Sequence, residues 1–300
     1  MLRTPLVMGM LFAAINAFML AGMSLFAKLL AQYYGPVEIT FFRNIFSMAA
    51  LLIWLIMARK MYLLKTKRPI AHFIRDTIGT IGLVLGTWAL SIMPLAETTI
   101  LLFTSPLFTV LLSYPVLREP VGVLRLAAVA FGFTGVIIMA NPGAETNDLP
   151  LYGILIGLSW GFCSGCVCTC LRWMGKTETA ATTTFYFVLF GTLTTGLHWP
   201  WAEVKYTEFS TDIIWIIIGI GTTGLAALLA KTQSYRLGEA SIIAPIMYTM
   251  IIWTILFDYL FWDKTPTWNV LAGASIIIAS NLFIIYRETK KLKVNAIQTF

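Results

Sequence analysis

The sequence has few charged residues for its length. Only 12% of its 300 residues are Asp, Glu, Lys or Arg, whereas 58% are hydrophobic and the mean hydropathy is +0.81. So few ionisable groups cannot coat a water-soluble globule of this size, which excludes that class of protein. The net charge is +7, but the basic residues lie in short clusters between apolar runs. They form no continuous basic face, so we expect no nucleic-acid partner.

The sequence also has little that would support metal, nucleotide or thiol chemistry. It has two histidines, His72 and His198, in no His-Glu-x-x-His pair, and it has no Gly-x-x-x-x-Gly-Lys-Ser/Thr loop. All four cysteines lie in the apolar run 163–170, where small residues for close helix packing explain them better than a soft-metal site. We therefore expect no cofactor and no bound metal, and nothing indicates a disulfide framework.

Apolar runs of membrane-spanning length are what the sequence does have. A bilayer core needs about 20 mostly apolar residues per helix. Runs of about that size follow one another, separated by turn residues or charges, at 5–31, 37–58, 70–92, 95–117, 122–140, 150–171, 179–199, 212–235, 238–261 and 266–286. The prediction is an all-α membrane protein with ten transmembrane helices.

Basic residues concentrate at one end of these spans. With the N-terminus in the cytoplasm, only Lys205 and Lys264 fall in outer loops, and the other basic clusters lie at inner ends. This asymmetry predicts a multi-pass protein of the cell's inner (cytoplasmic) membrane with both termini inside. The first run is interpreted as a retained span and not a signal peptide, because it is long and has a counterpart in the second half.

The two halves of the sequence carry related features. Pro5-Leu6 corresponds to Pro150-Leu151, and the block 95–100 corresponds to 237–242, each at the opening of a long helix. We therefore predict a first repeat at 1–143, a second at 144–287 and a basic cytoplasmic tail at 288–300. Five spans per repeat is an odd number, so the second copy is inverted. Such inverted repeats surround a central cavity with a substrate site near the bilayer midplane.

A further set of segments extends over nearly the whole chain and is clearest in the first half. It comprises Lys28, Phe42-Arg43, Arg75-Asp76, 89–97, 103–108, 117–120 and 132–136. These segments resemble the drug/metabolite transporter superfamily, in its ten-helix form with two EamA-like repeats. In the second half, Asp263-Lys264 stands where that family usually has Gly-Glu, and Ser280 replaces a glycine. The resemblance implies a carrier, similar in particular to bacterial S-adenosylmethionine uptake transporters.

Three charged residues lie well inside predicted spans and are the leading candidates for substrate binding. An ionisable side chain at the centre of a membrane helix costs about 2.5–3.5 kcal/mol, so it usually faces the bundle interior or water. Arg43 offers a planar cationic fork to a carboxylate or phosphate, or else a structural hydrogen-bond donor. Arg75 either binds substrate or extends to the inner surface, and Asp76 is a candidate proton acceptor.

Other groups are predicted to complete the lining of the cavity. Trp88 and Trp160 lie well inside their helices, where an indole either stacks on a flat or cationic substrate or simply packs in the core. Smaller polar residues at similar depth are Asn16, Asn44, Thr104, Ser105 and Tyr248.

Four charged residues near helix ends are candidates for gating or coupling. Glu97 and Glu239 each stand in the first turn of a helix, where an acid also stabilises the macrodipole. Lys28 and Lys231 are long enough to extend to the membrane interface instead. Asp258 and His72 are expected at the membrane interfaces, outside any site.

The function predicted from these features is secondary transport of a small organic metabolite by alternating access. The substrate carries an anionic or zwitterionic group, as an amino acid, a nucleoside-like compound or S-adenosylmethionine does. The expected partners are that small molecule, the lipid bilayer and either a coupled proton or a counter-substrate. The alternative is an intramembrane hydrolase, because Gly157 to Gly161 matches Gly-x-Ser-x-Gly, with Ser159 as nucleophile and His72 or Asp76 as its partner.

Overall fold

The computed structural model describes residues 3–118, 121–141, 149–174, 178–198, 211–237 and 240–298. Within these ranges the chain is all-α. Its α-helices are α1 (Arg3–Leu30), α2 (Pro36–Met57), α3 (Pro69–Ile92), α4 (Leu95–Leu102), α5 (Ser105–Leu117), α6 (Val123–Ala140), α7 (Leu151–Met174), α8 (Ala180–His198), α9 (Thr211–Leu237), α10 (Ala240–Ile246), α11 (Met250–Trp262) and α12 (Trp268–Gln298). Two short 3-10 helices lie at Met61–Leu64 and Met247–Thr249.

Two of the long apolar runs are broken in the middle. The first run divides into α4 and α5 just before Pro106, whose ring allows a helix to begin there but not to continue through it. The second divides into α10 and α11 just after Pro245. The break in the first run exposes the Phe103 carbonyl, which accepts a hydrogen bond of 2.7 Å from Asn281 Nδ2 of α12. A side chain of the bundle thus satisfies the exposed carbonyl.

Helix pairing follows the repeat predicted from the sequence. α1 packs against α9, and its counterpart in the other repeat, α7, packs against α3. The broken run α4–α5 packs against α7, whereas α10 and α11 pack against α1. Two further pairs, α2 with α8 and α6 with α12, each join a helix to its own counterpart in the other repeat. Exchanging the halves therefore reproduces the packing, as two inverted repeats require.

The outer surface of the bundle is apolar. Eight helical segments are long and apolar enough to cross a membrane, including the broken runs Leu95–Leu117 and Ile242–Trp262. Ile56, Leu197 and Val123 are 62%, 75% and 81% exposed, as lipid-facing side chains are. Of the remaining helices, α3 has 24 residues and α8 has 19, so both reach spanning length. Their lower hydropathy reflects polar side chains that face the bundle interior, such as Arg75 and Thr192.

Because consecutive long helices are antiparallel, the bundle has two ends. One end, which we call the terminal side, carries the start of α1, residues 58–68 after α2, and the end of α12. The opposite end, which carries residues 31–35, the Met93-Pro94 turn and residues 263–267, is the distal side.

Candidate functional site

A cavity of about 380 Å³ lies between the two halves of the bundle. Its wall comes mainly from α1, α2 and α3 of the first half and α7, α8 and α9 of the second, with Leu102 of α4 and Met250 of α11. Ile39 and Leu90 line its distal part, and Arg75 and Lys231 line its terminal part. The predicted residues that this cavity brings together are Arg43, Arg75, Trp160 and Lys231.

Arg43 lies in the distal half of the cavity. It stands seven residues after the start of α2 at Pro36, so it is about 10 Å from the distal end of that helix. Among the residues that the structure describes, its guanidinium has no hydrogen bond or ion pair. A planar group with five N–H donors is therefore free to bind a ligand in the cavity.

Arg75 is held in place by two neighbours. Its Nη1 donates to Asp76 Oδ1 at 2.8 Å, and its guanidinium carbon lies 4.2 Å from the centre of the Phe187 ring. The Nε of Arg75 is buried and has no partner within the described residues. Arg75 is thus oriented by protein contacts and still has donors to offer. Asp76, only 2% exposed, is committed to this ion pair and is not part of the cavity wall.

Trp160 forms one face of the cavity because glycines of α3 make room for it. Gly79, Gly82 and Gly86 lie at helical spacing on the side of α3 that faces α7. A Cβ added at Gly86 would stand 2.5 Å from Cε2 of Trp160, well inside van der Waals contact. Only glycine lets the indole lie flat against α3 and keep its other face toward the cavity.

We therefore expect Gly86→Ala to displace Trp160 and to reduce both transport and stability. Overpacking of this kind costs about 1–3 kcal/mol, which is measurable as a lower melting temperature of the purified protein. Gly122→Ala is the matched control, because nothing lies within 4 Å of the Cβ it would add. Equal melting temperatures and transport rates for the two variants would contradict this packing.

Five of the predicted lining residues lie inside the bundle but not in the cavity wall. Asn16 Nδ2 is 3.0 Å from Met247 Sδ, and Thr104 donates to the Leu101 carbonyl at 2.6 Å. Each of these contacts uses a polar group that was expected to face a substrate.

The other three have packing roles of the same kind. Tyr248 stacks edge-on against Phe103 at 4.8 Å between ring centres. Asn44 packs against Gly191 of α8, and the backbone carbonyl of Ser105 lies against α7 and accepts from Thr109. They were predicted from depth in the membrane alone, which does not determine the face of a helix.

Trp88 also differs from its predicted position. Its side chain is 44% exposed on the outer face of α3, so it does not line the cavity. It stands two residues from Gly86, and two residues rotate a helix by about 200°. A residue in that position points away from the glycine face. Trp88 is thus a lipid-facing residue of α3.

A second pocket, of about 440 Å³, lies on the distal side and shares no lining residue with the central cavity. At its base Lys28 of α1 donates to the Met93 carbonyl at 3.0 Å and lies 3.4 Å from Asp258 Oδ1 of α11. The two oxygens of Asp258 accept from the backbone N–H groups of Leu95 and Ala96 at 3.0 and 2.8 Å. One carboxylate thus joins the first turn of α4 to a lysine of α1.

Asp258 was expected at the membrane interface, and that prediction is wrong. Its side chain is 2% exposed, and it connects the two halves of the protein. Lys28 was predicted to be either a gating residue or a residue at the membrane interface. Its ammonium group lies 4.5 Å from the centre of the Trp262 ring, and its side chain is only 13% exposed. We call the Lys28–Asp258 pair, with the N–H groups it joins, the distal lock.

Glu97 lies beside the distal lock. Its side chain is 6% exposed, lines the distal pocket and has one oxygen without a hydrogen bond in the described chain. Glu239 lies outside the described residues. Beneath the lock, apolar side chains from α1, α2, α3, α4 and α9 pack into one buried cluster, namely Leu25, Leu30, Ile39, Phe42, Leu90, Leu95, Ile213 and Ile217.

His72, also expected at an interface, is buried on the terminal side. Its side chain is 3% exposed, and its Nε2 lies 3.4 Å from Glu178 Oε2. Glu178 also accepts from the Lys67 N–H at 2.9 Å and from Thr66 Oγ1 at 3.2 Å. These contacts fasten the connection before α3 to the start of α8. The sequence offers no signal for this pair, since its members are far apart along the chain.

Glu178 gives the terminal side a defined pH dependence. Burial by itself raises the pKa of Glu178, but the hydrogen bonds from the Lys67 N–H and the Thr66 hydroxyl, together with the nearby His72 ring, outweigh it and hold the pKa below its usual value. A lowered pKa means that this carboxylate stabilises the fold above the unfolded pKa of about 4.3. The stabilisation is lost as the pH falls through the folded value.

We therefore expect Glu178→Gln to lower the melting temperature at neutral pH and to have little effect below about pH 4. Melting curves of both proteins across this range measure the difference. Asp212→Asn, which changes an exposed acid at the start of α9, serves as the control. If the difference in melting temperature between the wild type and Glu178→Gln did not change with pH, the lowered pKa of Glu178 would be contradicted.

Ser159 is not placed for hydrolysis. Its side chain is exposed on α7, and its hydroxyl donates to the Leu155 carbonyl of its own helix at 2.8 Å. The partners suggested for it are engaged elsewhere, His72 with Glu178 and Asp76 with Arg75. The geometry offers a solute cavity with cationic side chains, and neither suggested partner is available to Ser159.

Comparison with known proteins agrees with this geometry. The sequence profile of the EamA-like transporter family matches residues 7–141 and again residues 151–286. The chain belongs to this family. The two matches also correspond to the two repeats seen in the packing, and the membership supports a multi-pass membrane protein that transports small solutes, not an enzyme.

Relatives extend over most of the chain. The S-adenosylmethionine uptake transporter of Rickettsia bellii is 28% identical, over 89% of this chain and 89% of that protein. Solute carrier family 35 member G1 of Homo sapiens is 26% identical, over 94% of this chain and 80% of that protein. An uncharacterized transporter of Helicobacter pylori is 29% identical, over 90% and 93%. One crystal structure matches with a TM-score of 0.57 and 17% identity, over 89% of this chain and 94% of the other, which supports the fold alone.

Proposed function

We propose that this EamA-family protein is a secondary transporter that moves a small organic metabolite through the central cavity by alternating access. The cavity lies between the two repeats, with Arg43, Arg75, Trp160 and Lys231 in its wall. The observation that carries the proposal is Arg43, a cation without a protein partner within the described residues. Its bound counterpart is an anionic or zwitterionic group of the substrate.

The distal lock and the apolar side chains beneath it represent the closed gate of this cycle. An inverted repeat can adopt a second shape in which the other side closes and the distal side opens. In that shape Lys28 and Asp258 separate, and the distal pocket becomes continuous with the cavity. Lys28 and Glu97 are then gating residues, and Lys231 acts on the substrate path at the terminal side.

The membrane arrangement in this proposal has ten spans, with α3 and α8 completing the eight strongly apolar segments. The repeats occupy 1–143 and 144–287, and 288–300 forms a cytoplasmic tail. The terminal side, which carries most of the basic clusters, faces the cytoplasm, and the protein resides in the inner membrane.

Uptake by purified protein in liposomes tests the proposal. The probes are labelled succinate, phenylalanine and S-adenosylmethionine, which differ in net charge, the last also being what the Rickettsia relatives are named for. We expect saturable uptake of at least one probe with an anionic group, and a much higher half-maximal concentration of that probe in Arg43→Ala. Ser159→Ala should transport at the wild-type rate, because its hydroxyl bonds only its own helix. Uptake no faster than in protein-free liposomes for every probe would contradict a carrier.

A further inference from the structure

The wall of the central cavity is unbalanced in charge. It carries three cationic side chains, Arg43, Arg75 and Lys231. None of the described residues that line it is an Asp or a Glu. Within a cavity walled by protein and lipid, such charges attract anions and repel cations strongly, since little water screens them. The wall therefore selects by net charge as well as by shape.

Within the part of the chain that the structure describes, one carboxylate lies next to these cations. Asp76 binds Arg75 at 2.8 Å and so compensates one positive charge. Among the described residues, Arg43 and Lys231 form no ion pair, which leaves two positive charges unmatched. Arg43 is a half-buried charge without a partner, which is unfavourable, and Lys231 is an exposed charge in the terminal part of the cavity wall. A ligand that supplies negative charge is attracted to both positions.

The unmatched cations lie at two levels of the membrane. Arg43 is fourteen residues from the terminal end of α2 at Met57, or about 21 Å. Arg75 and Lys231 are each six residues from the terminal ends of α3 and α9, or about 9 Å. The two levels are thus separated by about 12 Å along the bundle, a distance that long side chains shorten at both ends.

The wall between these levels is largely apolar and aromatic. Trp160 lies flat against α3, and Phe187 carries the guanidinium of Arg75 on its face at 4.2 Å. The hydroxyl oxygens that could accept from a substrate ammonium belong to Ser24, Thr87 and Ser164, and all three are neutral. An ammonium group would therefore meet cations and rings but no carboxylate of the wall.

We propose that the substrate of this carrier is an organic dianion with a flat or apolar body between its two anionic groups. One anionic group binds Arg43, the other binds Arg75 and Lys231, and the body lies against Trp160. This inference rests on the proposed transport function and narrows it. The carboxylate of a zwitterion can match one of the two charges, but its ammonium group adds a positive charge that no carboxylate of the described wall receives. S-adenosylmethionine fits less well still, because it sets a sulfonium and an ammonium against one carboxylate.

Matched ligands test the inference on the purified full-length protein. Three compounds share a benzene ring with a propionate chain and differ only in the opposite substituent, which is a carboxylate, a methyl group or an aminomethyl group. Thermal shifts at graded concentrations give their affinities by mass action. We expect the dianion to bind about tenfold more tightly than the monoanion, since one additional charge-assisted bond has that effect, and the zwitterion to bind most weakly.

Substitutions at Lys231 test whether the order of affinities among the three compounds arises from binding in this cavity. Lys231→Gln should reduce the ratio of dianion to monoanion affinity, and Lys231→Glu should reverse the order so that the zwitterion exceeds the dianion. Arg236→Gln, an exposed arginine of the same helix, should leave the order unchanged. The same compounds are then offered to liposomes containing each variant.

The outcomes separate this inference from the proposal it rests on. Equal or absent responses to the three compounds would overturn the dianion inference, as would tighter binding of the zwitterion or of S-adenosylmethionine by the wild type. Transport of a zwitterion in liposomes would still leave the carrier function standing. Failure of every solute to enter the liposomes would instead overturn the carrier function.

Discussion

Replacing Arg43 with alanine is expected to raise the substrate concentration for half-maximal transport by about tenfold to a hundredfold. The range corresponds to one hydrogen-bonded charge, which contributes about 1.5–3 kcal/mol. The side chain has no ion pair or hydrogen bond within the described residues, so its loss removes a ligand contact and little of the fold. Transport kinetics in liposomes and the melting temperature, measured on the same preparation, distinguish the two effects.

Two further variants test whether the effect of Arg43→Ala depends on the planar guanidinium and on its position. Arg43→Lys keeps the charge but loses the planar fork, so we expect a partial recovery. Arg236→Ala removes an exposed arginine that, among the described residues, is bonded only to Gln233, at 3.4 Å, and should behave as the wild type does. The binding role would be wrong if Arg43→Ala lowered the melting temperature but the folded fraction transported with the wild-type half-maximal concentration. Arg43 would then be a structural residue.

Replacing Asp258 with alanine is expected to have the largest effect on stability. The change leaves Lys28 almost buried without its carboxylate and frees the N–H groups of Leu95 and Ala96. Removing one partner of a buried pair costs about 3–5 kcal/mol, because the other charge remains buried. The melting temperature in detergent measures the effect, and folded protein should open its distal side more often.

Exchanging the two charges of the distal lock tests whether Asp258 stabilises the protein through the ion pair alone or also through its hydrogen bonds to α4. The double variant Lys28→Asp with Asp258→Lys restores an ion pair, but a lysine at 258 cannot accept from the two N–H groups of α4. We therefore expect it to remain less stable than the wild type. Asp212→Ala, at an exposed acid in the first turn of α9, should cost only about 0.3–1 kcal/mol. Full recovery by the double variant would show that Asp258 contributes nothing through α4.

The sequence predicts the architecture well because its signals are long and repeated. Spanning length and apolarity identify the helices, and the proline at 106 predicts the break that divides α4 from α5. The rarity of charge inside apolar runs makes Arg43, Arg75 and Asp76 conspicuous, and the structure places the two arginines in one cavity wall, with Asp76 paired to Arg75. Charge burial is costly enough to leave a visible pattern in a single sequence.

Residues near helix ends are harder to predict. An acid or histidine there fits an interface as well as a buried pair, and Asp258 and His72 both belong to pairs that connect distant parts of the chain. Trp88 was misplaced for another reason, since its depth is suitable but its helical face is not. The spacing of Gly79, Gly82 and Gly86 identifies the face of α3 that approaches α7, and could have excluded Trp88.

Reactivity of Cys168 toward a membrane-impermeant maleimide tests the central claim most directly. Cys168 lines the cavity with Arg75 and Lys231, and serine at 163, 166 and 170 leaves it as the single thiol. We predict labelling from the terminal side in wild-type background, added labelling from the distal side in Asp258→Ala, and protection by a transported anion. Absence of labelling from both sides, or labelling that a transported solute does not change, would contradict a substrate cavity that opens alternately to the two sides.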